Sequence, residues 1–241
     1  MKVLIACECS QTVCKEFRAL GHEAYSCDIE KSYGGYPEWH IMSDCLDIIN
    51  GSVSFMTEDG INHSICTEWD LIIAHPPCTY LSNAATRSHS LKGASLEDIN
   101  KRTEKRIQAQ EFFMKFANSC CEKIAIENPV GVMSTVYRRP DQIIEPYQFA
   151  QSEDDKENYV TKRTCLWLKG LEPLITNDLP KPDNAEIYGR WSNGKAGCWH
   201  EVQGQKNKAT VRSKTFLGIA KAMAEQWGKD NVKTESRYKR I

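Results

Sequence analysis

Short apolar runs alternate with amphipathic segments through the first half of the chain. The runs that predict buried strands lie at 2–6, 22–28, 70–74 and 123–129. Segments 10–21 and 96–121, which lie between them, carry apolar residues at helical spacing. This alternation predicts an α/β fold built on a doubly wound, mostly parallel sheet.

Local signals mark the ends of both predicted helices. Val13, Phe17 and Leu20 are expected on one buried face of the first helix, and Gly21 stands where its C-cap belongs. Ser95 and Asp98 predict the N-terminal cap of the second helix. A polar insertion that contains Gly51 and Gly60 is predicted before the strand at 70–74.

The pattern changes after about residue 140. Segment 164–170 is strand-like, whereas prolines, glycines and asparagines predict mostly loop over 172–212. A closing helix is predicted over 213–228, with apolar positions at Phe216, Ile219, Ala220, Met223 and Trp227. The expected organisation is a main domain of 1–170 and 212–228, a small loop-rich insertion of 171–211, and a charged tail of 229–241.

Composition narrows the class of protein. The 241 residues are 41% hydrophobic and 26% charged with a net charge of −1, which is typical of a soluble globular protein. No apolar run approaches the roughly 20 residues of a membrane span, and the N-terminal run is too short for a secretory signal. We therefore expect a cytoplasmic protein without membrane contact, and a monomer.

Cysteine is abundant, with 11 residues. The number is odd and no pair of Cys-x-x-Cys knuckles is present, which argues against a disulfide framework and against zinc. Most of the thiols are expected to be buried as small apolar side chains, with no metal bound.

The loop after the first strand, "ACECSQ" (6–11), occupies the place of a dinucleotide-binding turn. It lacks the glycines of that motif, and Glu8 would repel a pyrophosphate. A cofactor with a positive charge and no phosphate is favoured. Asp28 ends the second strand, from which an acidic side chain can bind ribose hydroxyls, although an ordinary solvated turn fits equally well.

A possible nucleophile and a possible acid follow two later strands. Cys78 comes after two prolines, which fix φ, remove two donors and end the strand. Glu127 and Asn128 end the strand at 123–129. Because parallel strands end at one edge, the thiol and the carboxyl group are expected near each other, with the Glu127 carboxyl partly buried and its pKa raised by desolvation.

Two motifs resemble those of the DNA (cytosine-5)-methyltransferases. "PPCTYLS" (76–82) is similar to the Pro-Cys motif of that family, and "IENPVG" (126–131) to its Glu-Asn-Val motif, in the family's order and with Cys78 and Glu127 49 residues apart. Looser similarities span nearly the whole chain. They are "VLIACECS" (3–10), "CDIE" (27–30), "SDCLDI" (43–48), "TKRTCLWLKG" (161–170) and "RSKTFLGIAKAMAEQW" (212–227).

The resemblance implies an enzyme, of a compact phage-type branch, that transfers a methyl group from S-adenosylmethionine to C5 of cytosine in DNA. Cys78 would attack C6 while Glu127 donates a hydrogen bond or a proton to N3, and a base in a duplex would first be flipped out. The domain at 1–170 and 212–228 would be catalytic and the insertion would contact the substrate. Segment 82–98 would be a mobile loop that closes over the base.

The same resemblance assigns site residues. Those implied for catalysis are Cys78, Glu127, Asn128 and Arg163. Those implied for the cofactor are Ala6, Cys7, Glu8, Ser10, Asp28, Ile29, Asp44, Cys45, His75, Pro77 and Ser213. Those implied for the substrate are Tyr80, Ser82, Arg87, Lys162 and Thr164.

Departures from the family pattern leave other functions open. The first motif lacks its glycine pair, Thr79 and Pro129 replace the usual residues, and only about forty residues separate the basic motif from the last helix. The short insertion suits the same chemistry on RNA or on a free nucleotide. The altered first motif suits a catalytically silent nucleic-acid-binding module, such as an anti-restriction protein. A zinc-dependent nucleic-acid protein is a more distant alternative.

Overall fold

The computed structural model describes residues 1–83, 95–183 and 214–229. The strands of this part are β1 (Lys2–Ala6), β2 (Glu23–Asp28), β3 (His40–Met42), β4 (Val53–Met56), β5 (Asn62–Ile65), β6 (Leu71–Ala74), β7 (Ile124–Pro129), β8 (Gln142–Ile144) and β9 (Thr164–Lys169). Strands β4 and β5 form a hairpin of their own. The other strands of the described residues form one seven-stranded sheet in the order β3-β2-β1-β6-β7-β9-β8.

The central sheet is mostly parallel. Strand β9 is antiparallel to both of its neighbours, β7 and β8, while the remaining pairs are parallel. The chain moves outward from β1 to β3, crosses back to β6, and moves outward again, so the order reverses between β1 and β6. This doubly wound order, with one antiparallel strand near the edge, is a Rossmann-like α/β arrangement. The predicted fold class is confirmed.

Helices cover both faces of the sheet. They are α1 (Thr12–Ala19), α2 (Leu96–Ala117), α3 (Met133–Val136) and α4 (Leu217–Trp227). Phe17 of α1 and Met223 of α4 pack with Val3 and Ile5 on one face. Phe113 and Phe116 of α2, Leu4, Ile72 and Trp167 pack on the other face. Alternate residues of β1 thus enter two cores, as expected for a strand buried on both sides.

Most of the predicted elements are present, with shifted ends. The predicted strands correspond to β1, β2, β6, β7 and β9, and the predicted helices to α1, α2 and α4. Helix α1 begins at Thr12 because Gln11 has a left-handed backbone, with φ of 56°. Gly21 follows the end of α1 with φ of 82°, as its C-cap position requires. Ser95 caps α2 by accepting a hydrogen bond from the Asp98 N–H at 3.1 Å.

Other expectations were wrong in detail. Leu20, predicted on the buried face of the first helix, is 52% exposed, because α1 ends before it. Strands β3, β4, β5 and β8 were not predicted; they have three or four residues each and, unlike the four-residue β6, they are not buried along their whole length. Helix α2 ends at Ala117, and the residues up to Cys121 form a turn.

Ten of the cysteines lie among the described residues, none of them in a disulfide there, and five are buried. The described residues contain no group of His, Cys, Asp or Glu side chains that could hold a metal ion. They also contain no helix long and apolar enough to cross a membrane. Most of the predicted insertion, 184–211, and the tail from 230 lie outside the described residues, so the domain organisation stays a prediction.

Candidate active site

The carboxyl ends of β1, β6 and β7 lie side by side. In the registers of the sheet, Ala74 pairs with both Ala6 and Ile126. The next residues, His75 just after β6 and Glu127 within β7, therefore lie at the same level. The backbone N–H of His75 still donates to the Ala6 carbonyl at 2.9 Å, which holds the start of the proline turn against β1.

A turn after β6 presents Cys78 at the surface. Its carbonyl accepts hydrogen bonds from the N–H groups of Leu81 and Ser82, at 3.1 and 3.0 Å. The Leu81 side chain is fully buried, whereas Cys78 is exposed. The two prolines stop the strand, the helical turn reverses the chain, and the buried leucine fixes the turn in place. The structure therefore gives Cys78 an ordered and accessible position at this edge.

The Cys78 turn packs directly on the segment that follows β7. The Val132 N–H donates to the Leu81 carbonyl at 2.9 Å, and the Asn83 N–H donates to the Val130 carbonyl at 3.1 Å. Between these bonds lies Gly131, where a Cβ would overlap the Leu81 carbonyl oxygen. This close approach requires glycine, and it ties the thiol turn to the strand end that carries the carboxyl group.

Asn128 makes a further contact between β7 and the turn that carries Cys78. Its side chain is buried, and its Nδ2 donates to the Pro76 carbonyl at 2.7 Å. Its Oδ1 is buried without a hydrogen-bond partner. Asn128 therefore spans from β7 to the proline turn, and the structure shows it positioning the loop that carries Cys78.

Glu127 forms a buried pair with His75. The His75 Nδ1 and the Glu127 Oε2 are 2.8 Å apart, with side chains 9% and 13% exposed. Burial alone raises the pKa of the Glu127 carboxyl, but the hydrogen bond and charge of His75, with the charge of Lys162, outweigh it and lower the pKa below its usual value. The expectation of a raised pKa was wrong, because the sequence did not reveal this partner.

The pKa of His75 moves in the opposite direction. Burial lowers it, but the hydrogen bond to Glu127 and the charges of Glu127 and Glu8 outweigh both burial and the charge of Lys162, so the pKa is raised. Both directions favour an imidazolium next to a carboxylate. The other ring nitrogen of His75, Nε2, is buried without a hydrogen-bond partner.

Glu8 caps helix α1 from the loop after β1. Its carboxylate accepts hydrogen bonds from the N–H groups of Val13 and Cys14, at 2.8 and 3.2 Å, and from the Ser10 hydroxyl at 3.2 Å. This carboxylate occupies the helix N-terminus that binds pyrophosphate in dinucleotide-binding proteins, so a phosphate is excluded there. Burial raises the pKa of Glu8, against the charge of His75 and these three hydrogen bonds.

The loop turns without the glycines of a dinucleotide motif. Cys7 and Gln11 have left-handed backbones, with φ of 60° and 56°. Gln11 is fully buried, and its side chain donates to the Tyr36 carbonyl at 2.8 Å and accepts from the Tyr36 N–H at 3.1 Å. These bonds hold the left-handed backbone of Gln11 in place, so the loop does not need a glycine at that position.

The expected cofactor residues gather around the ends of β1, β2 and β3. The Asp28 carboxylate lies at the end of β2 and accepts from the Glu30 N–H at 3.1 Å, and Ile29 beside it is 74% exposed. The Asp44 carboxylate caps a short 3₁₀ helix, accepting from the Leu46 N–H at 2.9 Å. An acidic group beside an exposed aliphatic side chain suits a ribose and an adenine.

The side chains of Cys7 and Cys45 contact each other near the carboxyl end of β1. The Cys7 N–H donates to the Cys45 sulfur at 3.3 Å, the two sulfurs are 3.9 Å apart, and the Cys45 thiol reaches the Cys27 carbonyl at 3.3 Å. Cys45 is buried, and Ala6, the last residue of β1, is fully buried. Pro77, at the turn, is exposed. These contacts join the first loop to the 3₁₀ helix that Asp44 begins.

The expected substrate residues are less closely grouped. Tyr80 and Ser82 belong to the Cys78 turn, and Thr164 is buried at the start of β9, its hydroxyl donating to the Lys162 carbonyl at 3.2 Å. Lys162 is the cation whose charge reaches Glu127. Arg163 is 66% exposed, and its nearest acidic group is Glu145, at 4.0 Å. Arg87, Ser213 and most of the expected mobile loop lie outside the described residues.

The sheet order and this edge define the class of the molecule: a Rossmann-like α/β protein with a cysteine and a buried His–Glu pair at its switch point. No protein-family model and no curated protein matches the sequence. Among solved structures, the chain is similar to a prophage-encoded protein of E. coli described as a candidate DNA modification methyltransferase, with a TM-score of 0.44 and 10% identity. The match covers 80% of this chain and 56% of that one, so this chain spans little more than half of its length.

Proposed function

We propose that the protein transfers a methyl group from S-adenosylmethionine to C5 of cytosine in DNA through a covalent bond between Cys78 and C6. The observation that supports this most is the packing of the exposed Cys78 turn on the strand end that carries Glu127. A cytosine ring needs a nucleophile at C6 and a proton at N3 together, and these two groups supply both.

S-adenosylmethionine suits the residues at the carboxyl ends of β1 and β2. It carries no phosphate, in agreement with a helix N-terminus already capped by Glu8. Asp28 would bind the ribose hydroxyls, and Ile29 would cover one face of the adenine. When bound, the cofactor would supply an electrophilic methyl group.

The chain's own residues account for the protons and the ring electrons. As the Cys78 sulfur adds to C6, the ring electrons move toward N3, which takes a proton from the His75–Glu127 pair. The raised pKa of His75 and the lowered pKa of Glu127 favour a proton on His75, so the pair would act as the acid and Glu127 would relay the proton. N3 then returns the proton as the electrons move to C5, which gains the methyl group. Loss of the C5 proton to a water molecule and departure of the sulfur as the thiolate restore the aromatic ring.

Mass spectrometry of nucleosides tests the proposal. DNA from cells that produce the wild-type protein should contain 5-methylcytosine, and DNA from cells with Cys78→Ser should contain none above background. Cys66→Ser is the matched control, since Cys66 is an exposed thiol away from this edge and its replacement should leave methylation intact. Methylation by the Cys78→Ser variant would contradict the covalent step. Transfer to RNA or dCMP but not to DNA would contradict the substrate.

A further inference from the structure

Helix α2 carries four cations within two turns, next to the Cys78 turn. They are Lys101, Arg102, Lys105 and Arg106, and we call them the α2 basic face. Their spacing of i, i+1, i+4 and i+5 places them on one side of the helix. Lys101 and Lys105 are exposed, whereas Arg102 and Arg106 are half-buried.

The basic face lies on the inner side of α2. At helical spacing it continues the side that buries Phe113 and Phe116 in the core. Glu97, Glu104 and Glu111 lie on the opposite side. An amphipathic helix normally places its charges on the side away from the core, but here the first half of the inner side is cationic. The cations therefore lie near the end of the sheet where β6 ends and α2 begins.

Two contacts join the basic face to the Cys78 turn. The Arg106 Nε donates to the Tyr80 carbonyl at 3.3 Å, and the Lys105 Nζ lies 5.7 Å from the centre of the Tyr80 ring. Tyr80 is two residues from Cys78. The acidic side chain of α2 on this side, Asp98, accepts a hydrogen bond from the Ser95 hydroxyl at 2.7 Å and also interacts with the charges of Lys101 and Arg102, so the four cations exceed it by three charges.

We propose that the α2 basic face binds the phosphate backbone of the polynucleotide whose cytosine reaches Cys78, so that the protein acts on a polymer and not on a free nucleotide. The net charge of the chain is −1, so attraction for a polyanion must come from a local patch. Four cations on two helical turns can contact several successive phosphates, whereas a nucleotide offers one. The identity of the base rests on the proposed function, but the contact with the backbone does not.

Fluorescence anisotropy with labelled oligonucleotides, without cofactor, tests this inference. We compare the double variant Lys101→Gln/Lys105→Gln with the wild type over a range of salt concentrations, on single-stranded DNA, duplex DNA and RNA. Two lost phosphate contacts should lower the slope of log K against log salt by about 2 and weaken binding by about ten- to a hundredfold at low salt. Calorimetry should give unchanged affinities for S-adenosylmethionine and dCMP.

The matched control is Lys115→Gln/Lys123→Gln, which removes the same charge near the end of α2 and the start of β7, at the far end of the sheet. Its salt slope should equal that of the wild type. An equal loss in both double variants, or none in either, would overturn the inference, as would a parallel loss of dCMP affinity. The binding measurements with DNA and with RNA show which polymer the protein prefers. A selective loss of binding in a protein that forms no 5-methylcytosine would reject the proposed function alone.

Discussion

The His75–Glu127 pair makes a quantitative prediction about stability and pH. Replacing His75 by Gln removes the charge that holds the Glu127 carboxyl ionised, so burial then dominates and the pKa of Glu127 should rise. Replacing Glu127 by Gln should lower the pKa of His75 in the same way, because its largest upward influence is lost. Each single variant leaves one buried charge without its partner, whereas the double variant leaves two neutral groups.

The size of the coupling follows from the geometry. A hydrogen bond that involves a charged group contributes about 1.5–3 kcal/mol, against about 0.5–1.5 kcal/mol for a neutral bond. Both side chains are about nine-tenths buried, so solvent screens the 2.8 Å contact little. We therefore expect a double-mutant cycle to give a coupling free energy of about 1–2 kcal/mol in favour of the ion pair.

The coupling should also depend on pH. His75 has a raised pKa, so its contribution is complete below its ordinary value of 6.5 and is lost as pH rises through the folded value. Glu127 has a lowered pKa, so its contribution is complete above 4.5 and is lost as pH falls through the folded value. The coupling should be largest between these two ordinary values and decline on the alkaline side.

Urea unfolding of the four proteins at about pH 6 and about pH 9 measures this coupling. The pair of Arg138 and Asp141, 2.7 Å apart with side chains 36% and 35% exposed, is more accessible to solvent; it serves as the control cycle and should give less than about 1 kcal/mol. A coupling near zero at about pH 6, or one of equal size at both pH values, would refute the assignment of an ion pair.

Three further changes test other parts of the edge. Asp28→Ala should weaken S-adenosylmethionine binding by about ten- to a hundredfold, as expected for a lost charged hydrogen bond of about 1.5–3 kcal/mol, with DNA affinity unchanged in calorimetry; an unchanged cofactor affinity would place the ribose contact elsewhere. Gly131→Ala should destabilise the protein by about 1–3 kcal/mol in urea unfolding, because its Cβ overlaps the Leu81 carbonyl; an unchanged free energy of unfolding would contradict this close approach. Glu127→Gln should reduce turnover by about 10²–10⁴-fold while base binding survives, and a near wild-type rate would remove Glu127 from the chemistry.

The sequence predicted the sheet because its buried strands are long apolar runs. Strands β1, β6 and β7 are flanked by helices on both faces, so their apolar character is continuous and easily recognised. The edge strands β3 and β8 have three residues each, and their pairing depends on contacts with β2 and β9. Such short segments hold no periodicity of their own.

The sequence led to one edge of the sheet but did not reveal the electrostatics there. Two prolines before Cys78 and the Glu-Asn-Pro end of β7 are local signals, and the residues that they mark lie at the same edge of the sheet. The partner of Glu127 is set by register, since His75 meets Glu127 only because Ala74 pairs with Ile126. A polar residue directly after the apolar run of each of two adjacent parallel strands is the signal that could have suggested this pair. The lowered pKa of Glu127 follows from its hydrogen bond with His75.

The central claim is the covalent bond between Cys78 and a cytosine ring in DNA. An oligonucleotide that carries 5-fluorocytosine, incubated with the protein and S-adenosylmethionine, tests it most directly, because fluorine at C5 cannot leave as a proton and the Cys78–C6 bond should persist. We predict an adduct that survives denaturation, whose mass equals protein plus methylated oligonucleotide and whose peptide map places the link at Cys78. The Cys78→Ser variant should form none. No adduct with a folded wild-type protein that binds both cofactor and DNA, or an adduct at another residue, would contradict the account.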